Sequence, residues 1–62
     1  MLTEERFAKI LSILERMGSV TVQQLMTELD ASESTVRRDL NTLDANGQLV
    51  KVRLSRYTAE RF

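Results

Sequence analysis

A chain of 62 residues has room for one domain, and folding at that size removes only about 60% of the unfolded surface from water. Its 42% hydrophobic and 29% charged residues fit a small soluble helical domain, and the lack of cysteine and histidine excludes disulfides, thiol chemistry, zinc-finger ligation and histidine general-base catalysis. Net charge is zero but unevenly spread: residues 1–31 hold three Lys/Arg against five Asp/Glu and residues 32–62 hold six against four, so the positive half lies toward the carboxyl end.

Thr3 is placed to cap a first helix whose opening turn carries Glu4 and Glu5, where negative charge meets the positive end of the helix dipole. Phe7, Ile10, Leu11, Leu14 and Met17 follow at spacings of three and four, which predicts one apolar stripe, and Gly18 supplies a left-handed stop. Ser19-Val20-Thr21-Val22 predicts a stub of strand. Thr21 and Gln24 then have the spacing of a capping box, so a second helix of about two turns begins near Val22 and buries Leu25, Met26 and Leu29. Asp30-Ala31 suits a turn. Ser32 caps a third helix with Glu33 in its first turn, and Val36, Leu40 and Leu43 line one face until Asn46-Gly47 ends it. Beyond Gly47 the period changes to two, predicting a strand through Leu49–Arg53 and a second run with Tyr57, joined by a turn around Arg53 to Arg56.

Three helices with a turn of about three residues between the second and third follow the order of a helix-turn-helix, here with a small two- or three-stranded β wing. A rotation of about 100° per residue turns Ser34, Arg38, Asn41 and Thr42 away from the third helix's core stripe, with Thr35 and Arg37 on its flanks. Arginine offers two parallel donors to guanine O6 and N7, asparagine pairs bidentately with adenine, and hydroxyls suit phosphates or base edges. Ser34, Arg38 and Asn41 are therefore the candidate base readers, with Ser32, Thr35, Arg37 and Thr42 around them. Lys51, Arg53 and Arg56 are candidate wing contacts to phosphate or the minor groove, serving affinity more than sequence choice.

Plainer readings stand beside these. Arg37 lies four residues after Glu33, so an intrahelical ion pair accounts for it without DNA, whereas Arg38 has no acidic residue three or four positions away. Asp39, expected close to the nucleic-acid face, reads as a partner for a basic group or as a device that orients one of the arginines. A polar face such as that of Asn41 is usually just solvated.

The string Ser32-Glu33-Ser34-Thr35-Val36-Arg37-Arg38-Asp39-Leu40, followed by Leu43, Gly47 and Leu49, closely resembles the amino-terminal domain of the DeoR family of bacterial regulators. Ile10, Leu14, Gly18, Val20, Val22 and Leu25 extend the resemblance over about residues 6 to 52. It implies a winged helix that binds operator DNA, often repressing genes of sugar or sugar-phosphate metabolism, with 33 to 46 as the reading helix. Where family members place a basic residue and then His-Gly-Gly-Ala at the wing, this chain has Lys51-Val52-Arg53-Leu54-Ser55-Arg56, so residues 53 to 62 depart from the pattern. The family also carries a larger carboxy-terminal domain that senses a phosphorylated sugar and assembles a homo-oligomer. Residues 1–62 hold no counterpart, which leaves a fragment and a stand-alone relative as alternatives, monomeric by itself.

The expectation is thus a single winged helix-turn-helix over residues 1–62 whose partner is double-stranded DNA. A winged-helix protein-interaction module is the competing class. No apolar run approaches the roughly 20 residues that a bilayer span needs, so the location expected is cytoplasmic, with no membrane partner. No nucleophile and base pair or phosphate loop can be assembled, so neither catalysis nor a cofactor is expected.

Overall fold

The computed structural model describes residues 2–53 and 56–59, the side chains of Arg53 and Ala59 excepted. The elements run α1 (Thr3–Met17), β1 (Ser19–Thr21), α2 (Val22–Leu29), α3 (Glu33–Ala45), β2 (Leu49–Arg53) and β3 (Arg56–Ala59). This is a three-helix winged helix-turn-helix in which the strands form one antiparallel sheet, ordered β1-β3-β2. The expected two-stranded ribbon is therefore the outer part of a three-stranded sheet, and its last strand is the central one. Residues 54 and 55, where the turn of that ribbon was expected, lie outside the described residues.

α1 begins one residue earlier than the hydroxyl of Thr3 suggests. The backbone N–H of Leu2 donates to Glu5 Oε1 at 2.9 Å, and its carbonyl accepts from Arg6 N at 2.9 Å, so Leu2 occupies the cap position. With Glu5 satisfying that free donor, Thr3 becomes the first helical residue, and its Oγ1 accepts from Arg6 Nη2 at 3.4 Å. Ile10, Ile13 and Leu14 are the buried positions of α1, with Phe7 and Leu11 packed partly against them. Ile13, which the stripe did not include, replaces Met17, which is 55% exposed. Met17 shares the apolar face by rotation, but Gly18 turns the chain away at φ 83°, leaving the last turn of α1 outside the core.

α2 contributes Val22, Leu25 and Leu29 to the core, and Met26 is half-buried. α3 contributes Val36, Leu40 and Leu43. The sheet closes the far side with Val20, Leu49 and Tyr57. Register explains why these three meet: Val20 opposes Tyr57, and Leu49 lies two residues before Lys51, which also opposes Tyr57, so all share one face with the Tyr57 ring as its buried centre. A register shift between Lys51 and Arg53 bends β2 where the wing begins.

Leu40 is fully buried where α3 meets the rest of the core. Replacing it with alanine is expected to cost about 2–5 kcal/mol, a large share of the roughly 5 kcal/mol at the low end for native domains. Urea denaturation followed by circular dichroism should show a lower midpoint with an unchanged slope; an unchanged midpoint would show that α3 is not held this way.

Candidate nucleic-acid interface

Three residues, Asp30, Ala31 and Ser32, join α2 to α3. Asp30 adopts the left-handed conformation (φ 52°, ψ 49°), an arrangement that short polar side chains tolerate better than bulky ones, and the Ala31 N–H donates to Met26 O at 3.2 Å. The chain therefore reverses at once, and α3 starts beside the end of α2. The Ser32 hydroxyl accepts from Thr35 N at 3.4 Å and also donates to Thr35 Oγ1 at 3.1 Å, capping α3 as expected. At the other end Gln48 N donates to Leu43 O and Gly47 N to Asp44 O, both at 3.0 Å, with Gly47 at φ 75°. That paired closure ends α3 at Ala45, one residue short of the expected 46, with Asn46 as the cap.

Between these ends the outward face forms as rotation requires. Ser34, Arg38, Asn41 and Thr42 are exposed, and Thr35 and Arg37 are half-buried on the flanks. Ser34 Oγ lies 3.3 Å from Ser32 Oγ, and Thr42 Oγ1 donates back to Arg38 O at 3.0 Å, which leaves its oxygen able to accept. Arg37 Nε donates to Glu33 Oε2 at 2.7 Å across a solvent-exposed i,i+4 pair. Among the described residues the side chains of Arg38 and Asn41 have no hydrogen-bond or ion-pair partner. A charged fork of donors is thus presented to solvent without a competing carboxylate.

Asp39 is not close to that face. It is 2% exposed, and Arg6 of α1 donates to it from Nε to Oδ2 and from Nη2 to Oδ1, the latter at 3.2 Å. The reason is rotational: Asp39 sits about 60° from the Val36 direction, on the core side of the helix, so its carboxylate must be paired once buried. Hydrogen bonding to Asp39 raises the Arg6 guanidinium above its ordinary range, desolvation opposes this, and attraction to the carboxylate adds to it. The expectation of a basic partner for Asp39 is met, but by a residue of another helix. Arg6 is the participant that local sequence reasoning missed. The position of an acid at the edge of a core stripe was the available signal.

The structure divides the candidate wing residues. β2 packs against α3, and Lys51, exposed at the sheet edge, shares the face of Tyr57. Arg56 is exposed one residue from Tyr57 and so points to the opposite face, opposite Thr21. Arg53 opposes Arg56 in register, but its side chain lies outside the described residues. Lys51 and Arg56 therefore do not form one basic cluster on one face.

A groove of about 360 Å³ runs between the starts of α2 and α3, lined by Thr21, Val22, Gln23, Met26, Glu33 and Arg37. The Thr21 hydroxyl accepts from Gln24 N at 3.1 Å while Thr21 N donates to Gln24 Oε1 at 2.9 Å, so the start of α2 is closed by its expected capping box. Among the described residues no three His, Cys, Asp or Glu side chains group as metal ligands, and no helix is long and apolar enough to cross a membrane.

A family model described as a DeoR-like helix-turn-helix domain matches residues 6–53. An uncharacterized HTH-type transcriptional regulator FruR of Bacillus subtilis is 46% identical over 52 residues, covering 84% of this chain and 21% of that protein. The lactose phosphotransferase system repressor of Lactococcus lactis is 42% identical over 48 residues, 77% of this chain and 19% of its own length. The HTH-type transcriptional regulator UlaR of Escherichia coli is 42% identical over 53 residues, 86% of this chain and 21% of its own. The chain thus spans about a fifth of the length of these relatives. No solved structure matches it.

The Ser32 cap sets where the exposed face of α3 begins. Ser32→Ala should destabilise the domain by about 1 kcal/mol and release the first turn of α3. Amide exchange would show this as protection lost at residues 35–37, the first amides of α3 with an acceptor, while residues 40–45 keep theirs; uniform loss along α3 would contradict a local cap.

Proposed function

Because the chain belongs to the DeoR-like helix-turn-helix family, we propose that it is the operator-reading head of a bacterial repressor of sugar-metabolism genes, with α3 as the reading helix in the major groove. One observation carries this reading: the unpaired guanidinium of Arg38 stands between Ser34 and Asn41 on the exposed row of α3. These residues sit four and three positions apart, so the row spans about 10 Å along the helix axis, the rise of about three base pairs. Arg38 suits a guanine, Asn41 an adenine, and Ser34 a base edge or phosphate. Ser32, Thr35, Arg37 and Thr42 flank the row and act on the sugar-phosphate backbone, where Arg37 exchanges its bond to Glu33 for one to phosphate.

The wing supplies attraction rather than choice. Lys51 stands on the α3 side of the sheet and Arg56 on its other side, and together with Arg53 they act as phosphate or minor-groove contacts. The sugar link comes from the lactose phosphotransferase system repressor among the relatives. Residues 1–62 act as a single non-catalytic domain in the cytoplasm. In the longer protein that the relatives' lengths suggest, a homo-oligomer assembled outside these residues presents two heads to two half-sites, and a phosphorylated sugar bound there controls release.

Titration of a labelled duplex selected from a random pool tests the reading. Binding should exceed that of an unrelated acidic polymer and weaken steeply with salt. Arg38→Ala is expected to cost about 1–3 kcal/mol and to relax preference at one base pair, whereas Lys51→Ala should weaken all sequences alike and reduce the salt slope by about one. Equal losses across sequences for both variants would refute the division of labour. Amide shift changes on adding DNA should cluster on residues 34–42; clustering elsewhere, on addition of a protein partner instead, would favour an interaction module.

A further inference from the structure

We propose that the Arg6–Asp39 bridge positions the reading helix, so that discrimination between base sequences depends on it more than attraction to phosphate does. The inference rests on the DNA-reading role proposed above and adds to it two residues that touch no DNA.

Asp39 is the one charged side chain buried among the described residues, and its partner stands 33 positions earlier, on α1, which packs against α3. Both carboxylate oxygens accept from the same guanidinium, one from Nε and one from Nη2. Planar two-bond pairing of this kind fixes direction as well as distance. The other restraints on α3 are of a different nature. Val36, Leu40 and Leu43 are held by apolar burial, which is non-directional and tolerates small rolls of the helix as long as the area stays covered.

Directional control matters because Arg38 is the neighbour of Asp39 and points to the other side of α3. A roll of about 10° moves a group at about 6 Å from the helix axis by about 1 Å. Displacement on that scale spoils bidentate pairing with a base edge, whose geometry is narrow, while a phosphate contact by a flexible cation survives it. Stability alone does not account for the arrangement, since a buried ion pair is often no more stabilising than apolar groups of the same volume. Arg6 is itself steadied: Thr3 Oγ1 accepts from Nη2 at 3.4 Å. The bridge therefore ties the pose of the base-reading row to the opening turns of α1.

The test uses the whole 62-residue chain, a duplex selected from a random pool by the unaltered protein, and an unrelated duplex of equal length. Affinities are measured for both duplexes over a series of salt concentrations, for the unaltered chain and for Asp39→Asn and Arg6→Lys. Circular dichroism melting establishes that each variant is folded at the temperature used, and Arg6→Lys, which keeps a cation beside the carboxylate, supplies the folded variant if Asp39→Asn does not. The expected result is a roughly tenfold fall in the ratio of selected to unrelated affinity, with affinity for the unrelated duplex and its salt slope nearly unchanged. Equal weakening on both duplexes, the mark of lost stability alone, overturns the positioning role, as does a ratio that stays at its original value. An unaltered chain that does not prefer the selected duplex removes the DNA-reading role itself and this inference with it.

Discussion

Everything exposed on α3 is exposed because Val36, Leu40 and Leu43 are not. Burying those three side chains against α1, α2 and the sheet consumes one face of the helix and leaves the opposite face no choice but water. Arg38 and Asn41 take their orientation from that constraint rather than from any contact of their own. In a domain this small the same few apolar residues must supply both stability and aim, so the hydrophobic core and the candidate interface are two sides of a single 13-residue helix.

The terminal chemistry of the helices sharpens what burial decides only coarsely. Thr21 with Gln24 and Ser32 with Thr35 close two helix starts, and Gly18 and Gly47 permit the backbone to leave two helix ends at positive φ. Asp30 performs the corresponding reversal between α2 and α3 without glycine, which leaves a side chain on the connection. Within the core stripe, Asp39 is the exception to apolar filling, and the directional bonds from Arg6 are what make a carboxylate tolerable there.

Much of this was legible along the chain because the decisive interactions are local. A capping residue and its partner lie three positions apart, and a stripe repeats every three or four, so Thr21, Ser32, Gly47 and the outward set around Arg38 could be placed from spacing alone. What escaped has long-range causes. Nothing near Asp39 names Arg6, since the pairing is made by tertiary packing of α1 against α3. The role of Tyr57 was hidden for the same reason, because β3 receives its place from β1, which lies more than 30 residues earlier. Two local signals also misled: the Thr3 hydroxyl was outcompeted by Glu5, and Met17 kept the right phase at a point where the core had already ended.

The strand order β1-β3-β2 carries a consequence for biosynthesis. Because residues 56–59 form the middle of the sheet, neither β1 nor β2 has a hydrogen-bonding mate until that stretch has left the ribosome. Helices α1 to α3 emerge first with the underside of their core uncovered, where Tyr57 will later sit. Sealing is therefore a late event of non-local contact formation, and the nascent helices must wait for a strand translated some twenty residues after α3 begins.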